Sequence, residues 1–170
     1  MCIPSSKRCA ASARSRNDRV SESTFEQILA HDGRLVYKTK GISMLPMLHQ
    51  NRDIVVIERT TERLKPYDVA LYRRGPQYVL HRVMEVREKD YVIRGDNTYS
   101  LETGITDADV LGVLTSFVRK GKPHSVTEPG YLRYVRFWCA IYPVRAFFVT
   151  RHRRIRAFGG RVLRKLGLKH

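Results

Sequence analysis

One serine of this chain stands in an unusual apolar setting. Ser43 lies in "GISMLPML", residues 41–48, directly after a strand-like run. A serine acts as a nucleophile when a base within hydrogen-bond reach takes its proton and when hydrogen-bond donors stabilise the oxyanion. The alternative is that Ser43 begins a turn, because serine is common at turn positions. The choice depends on whether the chain supplies a base.

His81 is the histidine best placed to be that base. It stands in an apolar strand pattern, "YVLHRVMEV", where period-two alternation puts His81 on one face and Arg82 on the other. We expect Arg82 to be a strand-surface cation. A strand histidine is more often structural than catalytic, so His81 alone does not decide the chemistry. The other histidines lie at a helix end, after the serine turn, or in and beside the basic tail: His31, His49, His124, His152 and His170.

These two residues need a scaffold, and the sequence predicts one made of short strands. "STFEQILAHDG" contains a capping box, Ser23 with Glu26, and ends at Gly33, which predicts a helix over residues 24–31. Strand patterns follow at 34–39, 52–59, 68–74, 77–88, 90–95 and 109–120. No long helical pattern interrupts them. We therefore predict a mainly β domain, compact and partly closed.

The positive charge is concentrated in the C-terminal part of the chain. The 170 residues include 32 Lys and Arg against 16 Asp and Glu, a net charge of +16. Residues 121–170 carry 12 of the basic groups and 1 of the acidic ones, whereas residues 31–120 are close to balance. This predicts a disordered lead-in over 1–22, a β domain over 23–122 and a basic arm over 123–170 that binds an anionic partner.

Cysteine usage and the N-terminal composition favour the cytoplasm. Cys2, Cys9 and Cys139 have neither metal-ligand spacing nor the even number of a disulfide framework, which fits a reducing compartment. The N-terminal residues contain no apolar stretch of the kind that a secretory signal has. We expect no metal and no cofactor.

The order of the short motifs resembles that of signal peptidase I. "GISMLPML", "RDIVVI", "PYDVALYRR", "VLHRVMEV", "RGDNTYSLE" and "DVLGVL" follow one another as the boxes of that family do, over residues 39–118. The chain is similar to the histidine type of the endoplasmic reticulum and archaea, in which histidine replaces the usual bacterial lysine base. The resemblance implies a signal peptidase/LexA-like β fold and a serine endopeptidase for signal- or leader-peptide-like substrates.

The same resemblance implies roles for individual side chains. Ser43 is the nucleophile and His81 the general base, which imidazole can be near pH 7 without the desolvation that lysine needs. Glu102 lies where the histidine type has an acidic residue that orients the imidazole. Asp96, in the glycine–aspartate–asparagine box, is the alternative for that role. Many relatives have a second oxyanion donor, a serine, two residues before the nucleophile, where this chain has Gly41.

The basic arm has an amphipathic pattern. An apolar stripe at helical spacing comprises Leu132, Val135, Trp138, Cys139 and Tyr142. We expect Pro143 to divide the helix, and arginines on the other side, continuing through residues 151–156, to suit an anionic membrane surface. The protein would then be peripheral at the inner face of the membrane. Two alternatives are that the stripe packs on the β domain and that the arm binds nucleic acid.

Two other functional interpretations also fit the sequence. The first is a catalytically weak or inactive binding protein with the same fold, for which Gly41 and Glu102 are the departures from the family pattern. The second is a LexA-type regulator with a nucleic-acid-binding tail, although such proteins use a lysine base. No stretch before Ser43 has the about 20 apolar residues that span a bilayer, so we expect the usual anchor of signal peptidases to be missing.

Overall fold

The chain folds into a strand-rich domain followed by helices. The structure is a computed structural model that describes residues 18–151, with side chains from residue 25 onward. Its elements are α1 (Asp18–Asp32), β1 (Arg34–Lys38), β2 (Ile54–Glu58), β3 (Val69–Arg74), β4 (Gln77–Val86), β5 (Tyr91–Arg94), β6 (Glu102–Ile105), β7 (Val110–Arg119), β8 (Lys122–Ser125) and α2 (Pro129–Ala140). Residues 142–151 are also helical. The fold is mainly β.

The strands form one curled antiparallel sheet. Their order is β1-β2-β7-β3-β4-β5-β6, and β8 pairs with β7 off this path. β1 and β6 are therefore the outer strands of the main path. A two-residue turn at 75–76 joins β3 to β4 and fixes their register, in which Ala70 lies opposite His81.

Apolar side chains cover both faces of this sheet. On β3, Val69 and Leu71 belong to one buried cluster, which also contains Leu29 of α1. Ala70 and Tyr72, the alternate residues of the same strand, belong to a second buried cluster. Burying one valine or leucine side chain contributes roughly 1.5–3 kcal/mol. The two clusters therefore hold the central strands, and with them His81 on β4, in a fixed position.

The strand predictions are confirmed, with ends that shift by up to a few residues. All six predicted strands are present as β1 to β5 and β7. Sequence reasoning missed β6 and β8. β6 contains Gly104 at φ +78, a left-handed conformation that breaks the usual strand pattern. β8 has the sequence KPHS, which lacks apolar alternation, and it forms by pairing with β7.

The predicted start of the first helix is wrong. α1 begins at Asp18 rather than at residue 24, so Ser23 lies inside the helix. A capping box is a local preference worth about 1 kcal/mol, and it does not prevent the helix from continuing upstream. Residues 18–22 of the predicted lead-in are therefore helical, while residues 1–17 lie outside the described part of the chain.

The predicted boundary at residue 123 falls inside β8, which belongs to the sheet. The helical part of the arm begins at Pro129.

The helix of the arm is interrupted near Pro143. α2 ends at Ala140, and the next helical segment begins at residue 142, immediately before Pro143, so the predicted interruption is confirmed. The proline ring fits the first turn of a helix, because backbone N–H groups in that turn have no acceptor within the helix. The arginines beyond residue 151 lie outside the described residues.

Within residues 18–151, no helix is both long enough and apolar enough to cross a membrane.

Candidate active site

The loop around Ser43 is fixed by neighbours on both sides. Met44 and Leu48 anchor it in the first buried cluster, and the Leu48 N–H donates to the Met44 carbonyl at 2.9 Å. From the other side, the Asn97 N–H donates to the Ser43 carbonyl oxygen at 2.7 Å. The Asn97 side-chain amide donates to the Ile42 carbonyl at 3.2 Å. The glycine–aspartate–asparagine box therefore holds the backbone that presents the serine.

Gly95 lies between the serine loop and the histidine ring. A Cβ at this position would stand 2.7 Å from the Ser43 carbonyl oxygen and 3.0 Å from His81 Nε2. Both separations are below ordinary carbon contact distances, so only glycine fits without displacing one of them. Nε2 and the serine carbonyl thus border the same small space beside Gly95. Ser43 and His81 also line the same cavity.

The other nitrogen of the His81 ring faces a carboxylate. His81 is 5% exposed, and its Nδ1 lies 3.2 Å from Glu102 Oε1 and 3.3 Å from the Tyr72 hydroxyl. With the proton on Nδ1 directed at Glu102, Nε2 carries the lone pair on the side of Gly95. This is the tautomer that a general base for Ser43 requires.

Glu102 is held by two further side chains. The Tyr72 hydroxyl donates to Oε2 at 2.9 Å, and Arg74 Nη1 donates to Oε1 at 2.9 Å. The carboxylate comes from β6, where Glu102 lies opposite Ile93 of β5. Strand pairing therefore places the acid, and the tyrosine and arginine restrict its orientation.

The electrostatics of the site keep the imidazole neutral. Burial lowers the pKa of His81 below the ordinary histidine value, because the charged form loses its hydration. The Glu102 carboxylate opposes this effect and raises the pKa, while the Arg74 charge lowers it. Since the net shift is downward, His81 is in its basic form at neutral pH. Burial and the Glu102 carboxylate also raise the pKa of the Tyr72 hydroxyl, which stays protonated and acts as a donor.

Asp96 occupies a different position from Glu102. Its carboxylate accepts two hydrogen bonds from Arg82, from Nε and Nη2, each at 2.8 Å. The Tyr134 hydroxyl of α2 donates to the same carboxylate at 3.2 Å. The structure thus brings Glu102, and not Asp96, into contact with His81 Nδ1. Asp96 instead ties the loop that carries Gly95 to the arm.

The expectation that Arg82 is a surface cation is wrong. The side chain is 0% exposed. Besides Asp96, it donates to the Tyr67 carbonyl at 2.9 Å and to the Tyr131 hydroxyl at 3.0 Å. Strand alternation correctly separates Arg82 from His81, but α2 covers the face that the pattern assigned to solvent. A buried arginine requires this complete set of partners.

The cavity that contains Ser43 and His81 has a volume of about 840 Å³. One part of its lining is apolar or aromatic, including Phe25, Tyr37, Met44, Tyr78 and Leu80. The rim carries the basic residues Lys38, Lys40 and Arg74. Such a volume is in the range of ordinary ligand sites and accommodates several side chains of an extended peptide.

Three features describe the surroundings of Ser43. Among the described residues, no hydrogen bond joins the Ser43 hydroxyl to the His81 ring, although both residues line the same cavity. The Ser43 backbone N–H has no acceptor among the described residues, which leaves it available to a ligand oxygen.

Gly41 has φ +81, a conformation that L side chains rarely adopt. The backbone therefore explains why a serine donor does not occupy position 41.

Sequence reasoning missed Tyr72 and Arg74, the partners of Glu102. A usable signal was present in the Gly75-Pro76 turn between two strand patterns. A two-residue turn fixes hairpin register, and this register places Tyr72 diagonally across from His81 on the same face. The position of Glu102 relative to both could not be read in this way, because β6 has no strand pattern.

Comparison of the sequence with models of known protein families gave no match, and comparison with curated proteins gave none either. Within the described residues, no group of three or more histidine, cysteine, aspartate or glutamate side chains could hold a metal ion.

Proposed function

We propose that the chain is a serine endopeptidase that uses Ser43 as nucleophile, His81 as general base and Glu102 as the acid that orients the base. The observation that carries the proposal is the arrangement around the His81 ring. Nδ1 faces the Glu102 carboxylate, and Nε2 faces the space beside Gly95 that borders the serine loop. The order of strands and motifs further supports a signal peptidase/LexA-like fold for the domain.

The proposed reaction has two halves. In the first, Nε2 of His81 takes the proton from the Ser43 hydroxyl while the oxygen attacks the scissile carbonyl carbon. The imidazolium then gives this proton to the leaving amine as the peptide bond breaks, which leaves an acyl ester on Ser43. In the second half, His81 takes a proton from a water molecule that attacks the ester, and it returns the proton to the serine oxygen. Glu102 stabilises the imidazolium in both halves.

The Ser43 backbone N–H is the proposed donor to the oxyanion. It lies in the same loop as the nucleophile and has no other acceptor among the described residues. With glycine at position 41, the hydroxyl donor of many signal peptidases is missing. Loss of one oxyanion donor typically costs about 2.7–4 kcal/mol, or about 10²–10³ in rate. We therefore expect slow turnover, which suits a processing enzyme that cuts each precursor once.

The proposed substrate is an extended peptide, such as the leader segment of a small ribosomally made precursor. β1 borders the cavity and is an outer strand of the sheet. The Thr39 N–H donates to the carbonyl of Asp53, the residue directly before β2, so the backbone groups of Thr39 point toward β2. By alternation, the backbone groups of Val36 and Lys38 point away from β2, where a substrate strand can pair with them. Apolar cavity walls would take alternate side chains of that strand.

The proposed location is the cytoplasm, at the inner face of the membrane. The cysteine usage and the charge of the arm support this location. A nucleic-acid-binding regulator remains the competing interpretation of the same charge, and a liposome and DNA binding comparison separates the two.

Cleavage of candidate leader peptides, followed by mass spectrometry, tests the enzymatic proposal. We expect cleavage by the wild-type chain and none by Ser43→Ala or His81→Ala. Ser116→Ala and His31→Ala are matched controls, because both side chains lie outside the cavity lining, and they should retain activity. Cleavage that persists in either of the first two variants would contradict the mechanism. Absence of cleavage in all variants, together with tight peptide binding, would indicate an inactive binding protein.

A further inference from the structure

The arm exposes a row of large apolar side chains to solvent. Phe137 is 62% exposed, Phe147 60% and Phe148 63%. These are half of the six phenylalanines in the chain. Val144 lies between them in sequence and is also exposed. Single exposed apolar residues are normal on protein surfaces, but several of this size on one segment indicate an interaction surface. We refer to these four residues as the arm ridge.

The arm ridge is separate from the side of the arm that packs on the β domain. Trp138 Nε1 donates to the Asp96 carbonyl at 3.0 Å, and the Tyr142 hydroxyl donates to the Tyr99 carbonyl at 3.0 Å. The Arg94 guanidinium lies 3.3 Å from the centroid of the Tyr142 ring. The alternative that the apolar stripe packs on the β domain therefore accounts for Trp138 and Tyr142. It leaves the four side chains of the arm ridge exposed, with Phe147 and Phe148 in contact with each other.

In each of the two helical segments of the arm, exposed arginines lie close in sequence to residues of the arm ridge. In the segment 142–151, Val144, Phe147, Phe148 and Arg151 occupy positions i, i+3, i+4 and i+7 of a helix, and all four are exposed. In α2, Arg133 and Arg136 are exposed beside Phe137. Residues 121–170 contain 12 basic groups and 1 acidic group, so an anionic partner is favoured.

We propose that the arm ridge inserts into the interfacial region of an anionic lipid bilayer. Phenylalanine rings enter the boundary between headgroups and acyl chains, where their transfer out of water is favourable. Arginines on the same side contact the lipid phosphates, and their long side chains allow the charge to remain at headgroup level. Apolar insertion alone, or charge attraction alone, would also fit other partners. Exposed phenylalanines flanked by arginines fit a bilayer surface, where apolar acyl chains lie beneath charged headgroups.

The arm ridge is the surface that would hold the protein at the membrane location proposed above. Its lipid binding does not depend on catalysis. Lipid binding by Ser43→Ala should equal that of the wild-type chain. A failure of the peptidase proposal would leave this binding unchanged. A failure of lipid binding would leave the chemistry of Ser43 and His81 unaffected.

Flotation of the full chain with liposomes is the experiment. The vesicles contain equal parts of phosphatidylcholine and phosphatidylglycerol, or phosphatidylcholine alone. We expect binding to the first and much weaker binding to the second. The double variant Phe147→Ser/Phe148→Ser should lose about 100-fold in affinity, roughly tenfold for each ring. The double variant Arg133→Gln/Arg136→Gln should lose roughly tenfold or more, and the loss should shrink as salt rises.

Val36→Ser is the matched control, because it removes an equally exposed apolar side chain from β1 rather than from the arm. It should bind anionic vesicles like the wild-type chain. Unchanged binding in the phenylalanine variant would overturn the proposal. Two other results would also overturn it: binding to DNA but not to anionic vesicles, with steep salt dependence, or a phenylalanine-dependent dimer in solution without vesicle binding. Circular dichroism confirms that each variant is folded.

Discussion

Replacement of Glu102 by glutamine gives the most specific prediction about the site. The substitution keeps the size of the side chain and an oxygen that can accept from His81 Nδ1, but it removes the negative charge. In the structure, Glu102 Oε1 lies 3.2 Å from Nδ1, and the glutamate side chain is 21% exposed. The change therefore removes a partly buried charge beside an imidazole that becomes positive in the proposed reaction.

The magnitude follows from the distance. Two unit charges about 4 Å apart interact by roughly 4 kcal/mol at an effective dielectric constant of about 20. Arg74 shares the same carboxylate at 2.9 Å, and solvent reaches part of it, so we take about 2–3 kcal/mol for the imidazolium. This corresponds to about 30- to 150-fold in the rate of the step that needs the imidazolium.

The same charge sets the pH dependence expected of Glu102→Gln. In the proposed mechanism His81 acts as a base only when neutral, so we expect activity above its pKa and loss of activity as pH falls through it. Because the Glu102 carboxylate raises the pKa of His81, its removal lowers that pKa further. The acid limb of Glu102→Gln therefore moves to lower pH, although its rate at neutral pH is reduced.

Two assays test this prediction without a known substrate. A nitrogen-15 NMR titration of the imidazole gives the pKa of His81 directly, and the labelling rate with a fluorophosphonate serine probe gives the reactivity of Ser43. Glu85→Gln is the control, because Glu85 is an exposed glutamate that pairs with Arg87 on the protein surface. An unchanged His81 pKa together with an unchanged labelling rate in Glu102→Gln would refute the role assigned to Glu102.

Three further predictions concern the surroundings of Ser43 and His81. Gly95→Ala should abolish probe labelling, since its Cβ would stand 3.0 Å from His81 Nε2 and closer still to the Ser43 carbonyl oxygen. Arg82→Met should lower the free energy of unfolding by about 3–5 kcal/mol in urea titrations, because it leaves the Asp96 carboxylate buried without its cation. Arg74→Gln should raise the pKa of His81 in the NMR titration, opposite to Glu102→Gln, because the Arg74 charge lowers that pKa.

Each of these substitutions has a matched control. Gly112→Ala also forces a Cβ against backbone, 2.5 Å from the Glu58 carbonyl, and it should destabilise the fold without a specific effect on the His81 titration. Arg87→Met removes an exposed arginine and should change stability by less than about 1 kcal/mol. Arg73→Gln removes the neighbouring exposed charge, which pairs with Glu26 rather than with Glu102. An equal effect of Arg73→Gln and Arg74→Gln on the His81 pKa would contradict the specific role of Arg74.

Local pattern was sufficient for most strands and insufficient for the elements that depend on distant partners. β3 and β4 have β-branched and aromatic runs bounded by turn residues, and both were predicted close to their observed bounds. β6 exists because its backbone pairs with β5, and no side-chain pattern in ETGI indicates a strand. The same is true of β8, which pairs with β7.

The site shows a similar division. Motif order predicts Ser43, His81 and Glu102 as site residues, and the structure places all three on one cavity. The burial of Arg82 could not be predicted, because it depends on a contact with Tyr131 of α2, 49 positions away in sequence. The distinction between Glu102 and Asp96 also needed the structure. Both carboxylates follow β4 in sequence, and only strand pairing decides which one meets the imidazole.

The most direct test of the central claim is to map the adduct of a fluorophosphonate probe by mass spectrometry. The proposed mechanism predicts one adduct, on the Ser43 oxygen, which forms in the wild-type chain and is reduced by about 10²–10⁴ in rate in His81→Ala. Ser43→Ala should show no adduct. Labelling of a different serine, or labelling of Ser43 at the same rate in His81→Ala, would contradict the account of Ser43 and His81 as nucleophile and base.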